Sequence, residues 1–423
     1  MKKVIIILLI FSLIFISFFA FKKEEEKTNK NISVILETEE GNIKSDTFPS
    51  NEEYEYLSTE CENTSNLVNV NFNKETWKLN LKIEEESVDG NFYCNIYFKE
   101  KSKLASDVII RKYEEDNLEG LIKLNQPETE QTPALVEYRY SGSNEEVKNY
   151  VNFNNETWRI IGVSPVDGGT GNYENRLKLI REESIGDYSW DTSATSINSG
   201  NGINQWGESG TYNGADIMRL LNPGYIGVNG SLYYNRTTGK CYNARNNVSV
   251  SCDFTSTGLT EEAKNMIGDA KWYTAAVSYY NMLSNDVYIM ERGSEVGTKD
   301  SGVSITKTIS WVGKVALIYA SDYAYSSKEC YKNVVLNDNN NSINDYRAEN
   351  CVNSSWMPKT YIRLISPLRA TTSDALSKRS TGQMTSHYCV HLPAIYPSLY
   401  LKSTVEIISG DGTIDFPYEL AIS

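Results

Sequence analysis

A chain of 423 residues allows two or three domains and a sizeable hydrophobic core. Its formal net charge of −14 excludes nucleic acid and an anionic membrane surface as partners. With 29 tyrosines and only 10 prolines, the polar, aromatic-bearing composition suits β-rich extracellular modules better than a helical bundle.

The chain opens with Lys2 and Lys3, then the apolar run VIIILLIFSLIFISFFAF over residues 4–21. At about 1.5 Å per residue that run reaches roughly 27 Å, enough to cross a hydrocarbon core. Signal cleavage calls for small residues at −3 and −1 of the cut; Ala20 suits, but Phe18 does not. The run predicts an uncleaved single-pass anchor over residues 1–21, the membrane being a partner through residues 4–21. Secretion after signal cleavage is the alternative. Lys22, Lys23, Lys27 and Lys30 leave the orientation undecided by charge. Residues 22–50, with the mixed run KKEEEKTNK, read as a flexible stalk.

Residues 51–100 change to short alternating segments at 67–72, 76–83 and 92–98, the mark of antiparallel strands with one buried face. They form a small β module. Residues 101–136 read as a helical or irregular stretch followed by the polar linker NQPETEQTP at 125–133, where the main boundary is placed. Residues 137–423 read as one domain. It opens with strands at 150–153 and 157–163 around a tight turn at Asn154-Asn155, since Asn tolerates positive φ. The glycine-rich loop 167–172 leads to a strand at 176–181. The segments VNFNKETWKL (70–79) and VNFNNETWRI (151–160) read as one hairpin solution used twice, with Trp packing inward. Helices are expected at 215–221, stopped by Pro223, and after Thr260, an N-cap with Glu261 and Glu262 in the first turn. Further strand signals lie at 305–310, 314–319, 361–365 and 398–408.

Cysteines fall at 61, 94, 241, 252, 330, 351 and 389. Read in order they suggest Cys61 with Cys94, Cys241 with Cys252, and Cys330 with Cys351, each bridge contributing about 3 kcal/mol. Such neighbour pairs behind an export segment favour an oxidising exterior and put the C-terminal side outside. Cys389 is left over.

From residue 137 onward the chain resembles a family of uncharacterised secreted or membrane-anchored proteins of Gram-positive bacteria. The segments that carry the likeness are NNETWRIIGV (154–163), RLKLIR (176–181), YSWD (188–191), MRLLNPGY (218–225) and CDFTSTGL (252–259), with LYLKS (399–403) and SGDG (409–412) near the end. The resemblance implies a C-type-lectin-like fold, shared with formylglycine-generating enzymes: an α+β, strand-rich domain whose long loops serve binding. It carries no catalytic residue over. Where the family usually reads Trp-Thr-Leu-Ser-Pro, residues 363–367 read RLISP, and Tyr396-Pro397-Ser398 replaces an Arg-Pro-Ala. Both segments would pack beside a ligand face.

The chemistry-bearing residues are few. The two histidines sit in HYCVH (387–391); on a strand His387, Cys389 and His391 would share a face and offer metal-ligand types, though at no standard zinc spacing. The bland reading is a surface loop. A Cys–His nucleophile needs an orienting third group that adjacent strand residues do not supply. The loop 336–345 holds Asp338, Asn340 and Asp345 as possible calcium oxygens, without an EF-hand pattern. The glycine-rich loop lacks the Gly-Lys-Ser/Thr of a phosphate cradle. Trp190, Trp206, Arg363, Arg369, Tyr388 and Tyr396 are the candidate ligand-binding residues, Trp190 and Trp206 having core packing as the bland reading. The expected function is a cell-surface binding or adhesion protein for a glycan or a surface protein, without cofactor or catalysis. A structural envelope protein and a metal-dependent extracellular enzyme are the alternatives.

Overall fold

The computed structural model describes residues 30–63, 68–83, 92–115, 119–193, 199–222, 226–227, 230–231, 234–278, 282–296, 308–328 and 353–422. The chain divides into two units, Met1–Ser102 and Lys103–Ser423.

In the first unit, alternation of apolar and polar residues produces β1 (Lys30–Thr38), β2 (Gly41–Ser45), β3 (Tyr54–Asn63), β4 (Val68–Asn73), β5 (Lys78–Ile83) and β6 (Phe92–Glu100). Four of them form a sheet in the order β2-β1-β6-β3, with β1 parallel to β6. Residues 30–45, read from the sequence as stalk, therefore form strands. Ile32, Val34 and Leu36 carry the period-two signal there, beside a charge run that masks it. The core is small: Val34, Phe72, Ile96 and Phe98, with Trp77 and Phe98 edge-on to Phe72 at 5.0 and 5.1 Å. The Cys61–Cys94 disulfide joins register partners of β3 and β6, a staple such a core needs.

The second unit begins with α1 (Ala105–Glu114), which buries Ala105, Ser106 and Ile109. Then come β7 (Leu121–Gln126), β8 (Leu135–Tyr140), β9 (Tyr150–Phe153), β10 (Glu156–Asp167) and β11 (Tyr173–Arg181). The segment 125–133, read as an interdomain linker, is mostly the loop of the β7–β8 hairpin. Polar, Pro-bearing composition is shared by both kinds of connection, and Gln131 Nε2 ties this one down by donating to Gly293 O at 2.6 Å. There follow α2 (Asp216–Leu221), β12 (Ile226–Gly227), β13 (Gly230–Ser231), β14 (Thr238–Tyr242), β15 (Ser249–Asp253), α3 (Glu261–Met266), β16 (Ala270–Tyr273), α4 (Ser284–Glu291), β17 (Ser310–Gly313), β18 (Val315–Ala316) and α5 (Ala320–Tyr325). The chain ends in β19 (Ile362–Pro367), β20 (Asp374–Lys378), β21 (Met384–Tyr388), β22 (Ser398–Tyr400), β23 (Val405–Ser409) and β24 (Tyr418–Ile422).

A nine-stranded sheet organises this unit in the order β18-β22-β11-β10-β9-β24-β23, with β8 also on β10 and β7 on β8. Twelve-residue β10 is its axis. One edge of β10 pairs with β9 over Glu156–Arg159 and with β8 at Gly162 and Val163. The crossing is tight at Gly162, where a Cβ would lie 2.1 Å from Tyr138 O. Gly162→Ala is expected to cost about 3 kcal/mol through that clash with backbone, read as a lowered urea midpoint at unchanged slope. A variant as stable as wild type would show that β8 can move away.

Strands make up 43% and helices 12% of the structure, and apart from the nine-stranded sheet the sheets are small. This corrects the expected α+β, lectin-like class to a strand-dominated architecture. The helical signals in the sequence are real but short: α2 ends before Pro223, and α3 runs for six residues beyond its Thr260 cap, whose Oγ1 accepts Ala263 N–H at 3.1 Å. No helix among the described residues is long and apolar enough to cross a membrane. The expected transmembrane helix at 4–21 lies outside them.

The Cys241–Cys252 disulfide spans the β14–β15 hairpin. The proposed Cys330–Cys351 pair lies outside the described residues. Two disulfides suggest an extracellular location.

Candidate functional site

The sheet β19-β20-β21 brings the two histidines and several of the singled-out residues together. β21 ends at Tyr388, and His391 N–H donates to Tyr388 O at 3.0 Å, closing a turn that folds His391 back over His387. Their Nδ1 atoms lie 3.1 Å apart, close enough to share one proton. Tyr361 meets the His387 ring edge-on at 5.3 Å, and Tyr388 meets His391 at 5.8 Å. Burial, then His391, Arg363 and Arg379, push His387 down to about 4. Burial and Arg363 also lower His391, with Asp374 opposing. Both imidazoles are thus neutral near pH 7.

Arg363 holds this turn from beneath. It is buried at 1% exposure, and its guanidinium donates to four carbonyls: Ala375 at 3.1 Å, His387 at 3.2 Å, Tyr388 at 3.0 Å and His391 at 3.4 Å. It is a fastener for the site, not a surface for a ligand. Cys389 leaves the histidines altogether. The turn after Tyr388 breaks the strand alternation, so the thiol points into the core, against Gly202, while His391 is exposed. Among the described residues no group of three or more His, Cys, Asp and Glu side chains lies placed to hold a metal ion. The expected His387–Cys389–His391 metal set is therefore corrected to a histidine pair.

Beside the pair opens a cleft of about 600 Å³, lined by Tyr361, Arg379, Ser380, Thr381, Gln383 and His387. The β20–β21 turn builds its rim: Arg379 N–H donates to Gln383 O and Gly382 N–H to Arg379 O, each at 2.9 Å, with Gly382 at φ 81°. A Gly there is the residue such a turn requires. The cleft offers an aromatic ring, a guanidinium, hydroxyls, an amide and a neutral imidazole within one concavity.

The other candidates scatter. Trp190 and Trp206 are fully buried and packed edge-to-face at 5.4 Å, so they are core, as is Tyr396, whose hydroxyl meets Thr360 Oγ1 at 3.0 Å. Arg369 is exposed and pairs with Glu295 at 3.2 Å, away from the cleft lining. Tyr388 is 41% exposed beside His391. Asp167 Oδ1 accepts three N–H groups of the glycine-rich loop, from Gly169, Thr170 and Gly171 at 2.7 to 2.9 Å, which makes that loop a self-satisfied turn. The calcium candidate at 336–345 lies outside the described residues.

Three features had no signal in the sequence. A second cleft of about 470 Å³ lies around the Asn154-Asn155 turn and the start of α3, with Glu156, Glu262 and Glu419 on its walls. Asp191 and Asp216 are buried neighbours; burial, then Asp216, push Asp191 up, and Tyr212 donates to it at 2.7 Å. A third cluster of buried charges joins β8, β11 and α5. Each depends on residues far apart in the chain.

Comparison with protein-family models, curated proteins and solved structures gives no match.

Proposed function

We propose that the chain is an extracellular recognition protein, held at the cell surface through residues 4–21, that takes a polar, acid-bearing glycan unit in the cleft beside His387. The observation that carries this is the lining itself. Tyr361 supplies an apolar face for a sugar ring, Arg379 a charge-assisted fork for a carboxylate, and Ser380, Thr381 and Gln383 the hydrogen-bonding edge. The two disulfides support a site that faces the exterior.

The test is a glycan array probed with the intact chain, followed by titration of the best acidic glycan. Arg379→Ala is expected to weaken that binding by about ten- to a hundredfold, the worth of a charge-assisted hydrogen bond, at unchanged thermal midpoint. Folded protein that binds no glycan, or an Arg379 variant that binds equally well, counts against the reading.

A further inference from the structure

Lys178 on β11 and Asp322 on α5 come from positions 144 residues apart and meet in the core. Both side chains have 0% exposure, and Lys178 Nζ donates to Asp322 Oδ2 at 2.6 Å. Three aromatic rings enclose the amine: Tyr319 at 4.2 Å, Trp272 at 5.1 Å and Tyr400 at 5.1 Å from Nζ to ring centre. The carboxylate is fixed on both oxygens. Arg139 Nη1 donates to Oδ1 at 2.5 Å, and the Tyr319 N–H donates to Oδ2 at 2.8 Å.

We infer that Lys178 and Asp322 condense into an intramolecular amide that cross-links β11 to α5. The ammonium first passes a proton across the short hydrogen bond to Oδ2, leaving a neutral amine beside a neutral acid. The Nζ lone pair then attacks Cγ. Charge developing on Oδ1 falls on the Arg139 guanidinium, already in place as an oxyanion partner. The Cγ–Oδ2 bond breaks, a second proton leaves Nζ, and Oδ2 departs with both protons as one water. Nothing is oxidised or reduced.

Two effects compete. Burial raises the Asp322 carboxyl, but Lys178 and Arg139 outweigh it and hold the group down at about 2, which favours the ionised pair. Burial in turn brings Lys178 down to about 8, against the pull of Asp322, which favours the neutral amine. Reaction from the minor neutral form is slow unless the groups are fixed. Here they are: the amine is held against Oδ2 by a 2.6 Å hydrogen bond inside three aromatic rings, and the carboxylate is pinned by Arg139 and the Tyr319 N–H, so the bimolecular entropy cost is already met. The product also removes two full charges from a site that water does not reach. Arg139 keeps Glu137 as its counter-ion at 2.8 Å.

The experiment is tryptic mass mapping of the full chain, fresh and after long incubation at neutral pH. The expected result is no cleavage after Lys178, and a branched peptide joining the Lys178 and Asp322 segments, lighter by one water, about 18 Da. Asp322→Asn is expected to form the same link with loss of ammonia, about 17 Da, so the leaving group identifies the bond. Lys178→Arg is expected to stay at full mass. Wild-type protein that is cleaved after Lys178 and yields an unbranched Asp322 peptide overturns the inference. So does a water loss that maps to any other pair.

Discussion

Arg139→Leu is expected to cost about 4 kcal/mol of folding stability. Arg139 is 1% exposed. It bridges two buried acids, through Nε to Glu137 at 2.8 Å and through Nη1 to Asp322 at 2.5 Å. Burial drives both carboxyls up, and it is the cations that overturn this: Lys178 and Arg139 for Asp322, Arg139 and Arg292 for Glu137. Leucine fills much of the volume but leaves Glu137 short of a partner and, by removing the guanidinium that assists condensation with Lys178, leaves Asp322 a carboxylate with one of its two cations gone. An uncompensated buried charge is costlier than the pair was worth. Marginal proteins hold roughly 5–15 kcal/mol, so the variant is expected to unfold at a much lower urea midpoint. Lysine at 139 restores charge but not the fork that serves two acids, and is expected to recover only part of the loss. A leucine variant within about 1 kcal/mol of wild type would show that the charges relax to solvent.

That network explains why part of the molecule was legible in the sequence and part was not. Local chemistry was readable. Asn154 and Asn155 both take positive φ, near 62° and 60°, as a two-residue turn demands, and Thr260 caps α3. Cys61 and Cys94, and Cys241 and Cys252, pair as neighbours. The repeated hairpin shows where local reading stops. Phe meets Trp edge-on in both copies, at 5.0 Å for Phe72–Trp77 and 5.2 Å for Phe153–Trp158. The turns nonetheless differ. Asn155 tolerates the left-handed conformation, whereas Lys74 replaces it in the first copy, and the chain there turns over residues 74–77 with Trp77 at φ 52°. The first copy closes with Asn73 opposite Lys78 and the second with Phe153 opposite Glu156, and Trp77 is half-buried while Trp158 is fully buried.

Long-range chemistry was not readable. Glu137 and Arg139 alternate with Tyr138 and Tyr140, a pattern that suggests a wet face. Their partner Asp322 lies 183 residues beyond Arg139, and nothing local announces it. For two of the ligand candidates the structure takes the bland reading. Trp190 and Trp206 carry the composition of a binding face, but they find each other in the core. The HYCVH segment obeyed strand alternation only as far as Tyr388, because the turn that follows turns Cys389 inward.

Lys378 predicts an effect of the opposite sign. Its residue is 2% exposed, its Nζ donates to the Pro358 carbonyl and lies 5.2 Å from the centre of the Tyr323 ring. Burial, reinforced by the like charge of Lys359, pushes the amine down from 10.5 to about 7. A lowered amine means that the unfolded chain binds the proton more tightly than the fold does. The penalty is therefore fully present below pH 7 and is relieved as pH rises from about 7 to 10.5. Lys378→Met keeps the length and the apolar stem, abandons one carbonyl contact and removes the penalty. It is expected to gain about 2 kcal/mol at pH 6, the relief of burial outweighing a hydrogen bond worth about 1 kcal/mol. Urea midpoints of the two proteins should converge by pH 10, because only the lysine protein gains from the rise. Subtracting one curve from the other cancels the tyrosines that titrate in both. A methionine variant less stable at pH 6 would mean that the Pro358 carbonyl and the Tyr323 ring together hold the ammonium better than its burial implies.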